Sequence, residues 1–159
     1  MSKILSLSLK DKHLARLNSS QIGQMGEEIA AHHLLKNGYR LVLANFKVPI
    51  GRNRLGATIT GEIDLIALDN DVLCFVEVKT RSSDEYATPE SAVNARKQRQ
   101  IIRTAKVYRK TFQLTEVKFR YDVISIVLVK NERPKIELFK SFWNENKFRK
   151  KIWTNDYND

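Results

Sequence analysis

A single cysteine among 159 residues leaves no partner for an intrachain disulfide, which fits a reducing compartment and hence a cytoplasmic protein. Cys74 lies in an apolar stretch and reads as core. Nowhere does an apolar run approach the length of a membrane span, so no membrane segment is expected. The opening residues are cut off by Lys10-Asp11-Lys12 and lack a small-residue cleavage site, so no secretory leader is expected either. With only three Pro and six Gly, and no repeat or Pro- or Gly-rich linker, nothing divides the chain into two domains. Acidic residues are scarce beside basic ones: 18 Asp and Glu against 28 Lys and Arg give a net charge of +10. That excess favours a polyanionic partner, nucleic acid first and an anionic membrane surface second, because clustered Lys and Arg neutralise phosphates and release counterions.

Against this background, Gly61-Glu62-Ile63-Asp64-Leu65-Ile66 and Phe75-Val76-Glu77-Val78-Lys79 place charge inside apolar runs rich in branched residues. Separated by Asp69-Asn70-Asp71, they read as two central antiparallel strands joined by a tight turn. Strand alternation puts Glu62 with Asp64 on one side, and Glu77 with Lys79 on one side of the partner strand. Charges buried among Ile, Leu, Val and Phe are costly unless paired or bound to metal. A hard cation such as Mg²⁺ suits carboxylate oxygens. The plainer alternative is a Glu77–Lys79 ion pair at a strand end beside ordinary surface acids.

An Asp, a spacer, then Glu-x-Lys on the next strand resembles the PD-(D/E)XK nuclease superfamily. More closely, the two segments, the second extended through Thr80-Arg81, resemble the bacterial YraN-type family, related to archaeal Holliday-junction resolvases, over roughly residues 23 to 140. The resemblance implies a restriction-endonuclease-like α/β fold, a mixed central sheet flanked by helices. It implies that Asp64, Glu77 and the Val78 carbonyl hold Mg²⁺ or Mn²⁺, that Lys79 orients the attacking water or stabilises developing charge, and that Glu62 and Glu27 complete the coordination or bind a second ion. Periodicity leaves Glu27 and Glu28 open, and either could be a helix-surface acid near the positive end of the dipole. The family pattern matches Glu27, with Ala30 and Gly38.

Elsewhere, residues 1–18 read as an N-terminal extension with no assigned role. Ser19-Ser20 is the expected cap of a helix whose stripe holds Ile22, Met25, Ile29 and His33 beside Ala30 and Leu34, ending at Asn37-Gly38. His32 and His33 point about 100° apart on a helix, which argues against zinc. Tyr39 to Val48 reads as the first strand. The loop from Ile50 to Gly56 then carries Arg52 and Arg54, either a DNA-contacting flap absent from shorter relatives or a solvated hairpin tip. Arg81 lies in a loop at the site's mouth. Thr88, with Pro89 and Glu90, is the expected start of a helix to about Lys110. Its buried stripe would be Ile101, Ile102, Ala105, Tyr108 and Phe112, and its opposite face Arg96, Arg99, Arg103, Lys106 and Lys110. Like charges at that spacing repel, so the stripe suits a polyanion better than helix stability, a solubilising face being the alternative. Lys97 falls where the family carries a Lys near the active site. Two further strands are expected at Arg120 to Val129 and Lys135 to Phe139. The tail, 141–159, carries Phe142, Trp143, Phe148 and Trp153, which could stack on bases but are expected to dock on the body, since an exposed aromatic tail would be an aggregation liability.

These readings converge on one domain, 19–140, that hydrolyses DNA phosphodiesters with Mg²⁺ or Mn²⁺ and prefers branched or single-strand-containing DNA, as a homodimer if junctions are resolved. The alternatives are a nucleic-acid-binding protein of the same fold without turnover, and a protein-interaction scaffold.

Overall fold

A computed structural model describes residues 17–82 and 93–149. Helix α1 (Ser19–Lys36) is followed by strands β1 (Arg40–Arg52), β2 (Thr58–Asp69) and β3 (Val72–Ser82). Helix α2 (Ala95–Thr111), strands β4 (Phe119–Leu128) and β5 (Lys135–Trp143) and a 3-10 turn (Glu145–Phe148) complete it. The strands lie side by side in sequence order in one five-stranded sheet. Every pairing is antiparallel except β3 with β4. Parallel neighbours need a long crossover, and α2 lies within it. This mixed sheet with its two helices is a single α/β domain of restriction-endonuclease-like architecture, as the residues suggest.

The two faces of the sheet bury different sets. Ile63, Ile66, Phe75, Tyr121 and Val123 pack with Ile101, Ile102, Ala105 and Tyr108 of α2. Leu65, Ala67, Cys74, Val76, Ile124 and Ile126 pack with Ala30 and Leu34 of α1. Covered on both sides, β2, β3 and β4 need apolar residues at successive positions, which is why they read as continuous hydrophobic runs. Among the described residues no helix is long and apolar enough to cross a membrane.

Several boundaries differ from expectation, each for a local reason. Helix α1 is capped by Asn18 rather than Ser19 or Ser20. The Asn18 side chain accepts the Gln21 N–H at 2.9 Å and the Gln21 side chain accepts the Asn18 N–H at 3.0 Å, a reciprocal box that needs Gln three residues on. Strand β1 runs to Arg52, because pairing with β2 continues past a bulge between Pro49 and Gly51 to Arg52 opposite Thr58. Helix α2 starts at Ala95, with Asn94 accepting the Lys97 N–H at 2.9 Å; Thr88, Pro89 and Glu90 lie outside the described residues. Phe112 caps the far end of that helix and is exposed, not core.

Strand β5 continues to Trp143, which stacks on Tyr121 with ring centroids 5.2 Å apart and planes at 9°. Phe142 and Phe148 pack against the same cluster, so the described part of the tail is docked. Trp153 lies outside the described residues. Trp143→Ala should lower unfolding free energy by about 3 kcal/mol in urea titration. Trp143→Phe should cost clearly less, since it keeps the ring and removes the buried Nε1, which has no hydrogen-bond partner. Equal losses would mean the stack contributes little.

Candidate active site

Strands β2 and β3 pair from Asp69 with Val72 to Leu65 with Val76 and then part. Beyond that point β2 pairs with β1, and β3 with β4. Asp64 stands at the fork. Its Oδ2 accepts the Val78 N–H at 2.7 Å, so a side chain replaces the ladder bond that the diverging backbone no longer makes. A cleft of about 380 Å³ opens there, lined by Glu27, Asp64, Glu77, Val78, Lys79, Thr80, Arg81 and Lys97 with the first residues of α1.

Glu27 reaches this cleft because α1 lies directly on β3. A Cβ on Gly26 would collide with Thr80 Oγ1 and stand 2.8 Å from its Cβ, so this approach requires glycine. Glu28, one position on, is exposed. From the opposite face, α2 sits close over β2, where a Cβ on Gly61 would collide with Thr104 Oγ1. Lys97, at the first turn of α2, enters the cleft from that side.

Glu77 is 2% exposed. Its Oε1 meets Lys79 Nζ at 3.0 Å and its Oε2 faces Lys97 Nζ at 3.5 Å, yet Oε2 has no hydrogen bond. Asp122, equally buried, shows what full satisfaction looks like. Both its oxygens accept Arg120 Nε–H, at 3.0 and 2.9 Å, and Oδ1 also accepts the Ser141 N–H at 2.8 Å. By this standard the Glu77 carboxylate is under-satisfied. Burial, then the charge of Glu77, pushes the Asp64 carboxyl up to about 7, against the pull of the Val78 N–H and Lys97. Burial raises Glu27 above its ordinary value too, with the Asn45 side chain opposing it.

The expected residues divide as follows. Glu27, Asp64, Glu77, Val78, Lys79, Arg81 and Lys97 meet in the cleft. Glu62 is not among its lining residues; its carboxylate pairs with Lys47 of β1 at 3.3 Å, although its charge still reaches Glu27. Among the described residues no three His, Cys, Asp or Glu side chains form a preassembled metal cluster. Arg96, Arg99, Arg103 and Lys106 are exposed along one face of α2, as their spacing predicts. Several are also anchored within the protein: Arg99 over the Phe148 ring at 5.3 Å, Arg103 to the Ile50 carbonyl, and Lys106 to Glu145 at 3.4 Å. Those contacts offset some of the repulsion along the stripe. Arg52 donates to the Gly56 carbonyl at 3.0 Å within the hairpin tip, and Arg54 is exposed beside it.

One contributor escaped the sequence reading. Asn45 holds φ of 53° in the middle of β1, between the pairs Ala44–Leu65 and Phe46–Ile63 that bracket Asp64, and its side chain bonds Glu27. Asn tolerates that left-handed conformation better than most residues. An Asn between Ala44 and Phe46, within a strand-like stretch, was the available signal.

Residues 26–126 match the sequence profile of a family described as "Uncharacterised protein family UPF0102". A UPF0102 protein of Caldanaerobacter subterraneus subsp. tengcongensis is 38% identical over 115 residues, covering 72% of this chain and 86% of its own. One from Clostridium acetobutylicum is 42% identical over 113 residues, covering 71% and 84%. A third, from Chlorobium limicola, is 37% identical over 130 residues, covering 78% and 93%. The solved structure described as "Crystal structure of SSO0001" aligns over 91% of this chain and 65% of that one at a TM-score of 0.37 and 16% identity, too loose a likeness to bear on function.

The electrostatics of Asp64 set a pH dependence. In the unfolded chain its pKa is near 3.8, and folding raises it to about 7, so the folded protein holds the proton more tightly. This contribution is fully present below about pH 4 and is lost as pH rises through 7. Asp64→Asn removes it. Without divalent ions, the variant should melt at least about 4 °C above the parent at pH 8, with the gap closing toward pH 4. Parallel melting profiles across that range would show that Asp64 carries no such strain.

Proposed function

This chain belongs to the uncharacterised protein family UPF0102, the YraN-type family, and from the cleft shared by Glu27, Asp64, Glu77 and Lys79 we propose that it is a divalent-cation-dependent nuclease hydrolysing DNA phosphodiesters. One observation carries the reading: two buried carboxylates, Asp64 and Glu77, are held together at the strand fork, destabilising each other, with Glu77 Oε2 left without a hydrogen bond. Mg²⁺ or Mn²⁺ suits this chemistry, since Asp64, Glu77, the Val78 carbonyl and Glu27 all offer hard oxygen donors. Bound among them, such an ion would polarise the phosphate and make the attacking water more acidic.

The remaining work falls to the protein's own groups. Lys79 Nζ, now 3.0 Å from Glu77, would be released to orient the water and to meet charge developing on the phosphate. Lys97 enters from α2, and Arg81, on β3 rather than in the loop expected for it, lines the cleft; both suit contacts to neighbouring phosphates. The exposed Arg96, Arg99, Arg103 and Lys106, with Arg52 and Arg54 of the hairpin, extend this basic surface beyond the cleft. A cytoplasmic site of action fits the lone Cys74, whose thiol burial pushes up to about 12. Selectivity for branched DNA would follow from contacts that grip two duplex arms, and symmetric resolution of a four-way junction would require two copies of this one-site domain.

A second reading has a specific observation behind it. Lys79 and Lys97 both approach Glu77 in this structure, so the ammonium groups themselves balance its charge, as a nucleic-acid-binding protein without turnover would allow. Purified protein incubated with linear, nicked, flapped and four-way DNA separates the two. Cleavage should appear with Mg²⁺ or Mn²⁺ and vanish in EDTA. Lys79→Ala should lower its rate at least ~10²-fold with DNA affinity little changed, as for a group acting in the transition state. DNA bound but uncut with every ion would leave the binding protein.

A further inference from the structure

Leu55 is 93% exposed, far more than Leu35, Val42, Leu43 or Phe112, the other exposed large apolar residues among the described residues, none of which exceeds 52%. The loop that carries it is tied together by its own hydrogen bonds. Asn53 Oδ1 accepts the N–H groups of Leu55 and Ala57, both at 2.9 Å. The Asn53 N–H donates to Ala57 O at 2.9 Å and the Gly56 N–H to Asn53 O at 3.0 Å. Gly56 supplies the φ of 81° the turn needs, and its carbonyl accepts from Arg52 Nη1 at 3.0 Å. The base of the hairpin is tied to α2 by Arg103 on the Ile50 carbonyl and by Gln100 Nε2 on Thr60 O at 3.0 Å. A rigid arm thus presents one leucine, with Arg52 and Arg54 exposed beside it.

Its place relative to the cleft suggests what it meets. From Thr58 to Asp64 the strand covers ~20 Å at about 3.3 Å per residue, on the order of six steps of a nucleic-acid strand at about 3.4 Å each. Over that gap α2 leads from Lys97 in the cleft, past Arg99, to Arg103 at the hairpin's base. A duplex laid along this basic track from the cleft reaches the tip. We propose that the β1–β2 tip is a DNA wedge: Leu55 enters the base stack where it is already weakened, at a fork or branch, while Arg52 and Arg54 hold the flanking phosphates. Leucine is one of the side chains that unstack base steps in this way, and entry costs least where pairing is already interrupted. The flanking positive charge favours DNA over a membrane or an apolar protein groove.

This inference rests on the nuclease reading, and its test separates the two. The full chain is titrated in EDTA against forked DNA carrying 2-aminopurine at the first base pair of the fork, and against linear duplex of the same sequence. Binding to the fork should raise 2-aminopurine fluorescence. Leu55→Ser should abolish that rise and reduce the ratio of fork to duplex affinity by about tenfold, whereas Leu55→Phe should preserve both. Because Leu55 touches no core, thermal melting should match the parent in each variant. Fork binding with no fluorescence change, or a Leu55→Ser protein that behaves like the parent, overturns the wedge and leaves the nuclease reading intact. Failure to bind any DNA, both in EDTA and with Ca²⁺ in its place, overturns both.

Discussion

Everything at the candidate site depends on one departure from regular sheet structure: β2 and β3 stop pairing beyond Leu65 and Val76. A fork in a buried sheet exposes backbone donors that must be satisfied, and the Asp64 carboxylate takes the Val78 N–H that would otherwise be orphaned. The same bond fixes Asp64 beside Glu77. A structural requirement of the backbone therefore brings two acids into one small space, and a divalent ion would relieve the repulsion that results.

The helices turn this fork into a cleft with two walls of different charge. Gly26 lets α1 settle onto Thr80, bringing Glu27 in from one face of the sheet, and Gly61 lets α2 settle by Thr104, with Lys97 reaching in from the other. The cleft thus receives carboxylates from α1 and the strands, and ammonium groups from β3 and α2. Past the cleft, the exposed positive charge continues along α2 and the hairpin, while the described exposed residues of α1 include only Glu28, His32 and Lys36 as ionisable groups.

The opposite end of the sheet provides an internal comparison. There Arg120 bonds Asp122, Asp69 and Tyr39 together, with Lys140 on Asp69 at 3.0 Å. Tight, fully bonded burial of charge is a structural solution available to this protein, and it is used where the sheet must simply be held. At Glu77 the same protein leaves an oxygen without a hydrogen bond. The contrast between two buried acids in one sheet says more than the burial of either.

What the sequence determined by itself were the features that local physics can dictate. Charges set in apolar strands at Asp64, Glu77 and Lys79 marked the site, the Asn70-Asp71 turn joined its strands, and the spacing of Ile101, Ile102, Ala105 and Tyr108 against Arg96, Arg99 and Arg103 oriented α2. What tertiary structure decided were the choices that depend on a distant surface. Periodicity could not separate Glu27 from Glu28 until Gly26 met Thr80. Simple alternation grouped Glu62 with Asp64 until Lys47, from the adjoining strand, drew Glu62 into an ion pair. Asn45's role, the extension of β1 along β2, and the stacking of Trp143 on Tyr121 likewise arise between segments far apart in the chain. Sequence patterns carry propensity and burial, which are properties of a residue and its neighbours; which partner a residue meets is set only when the layers close.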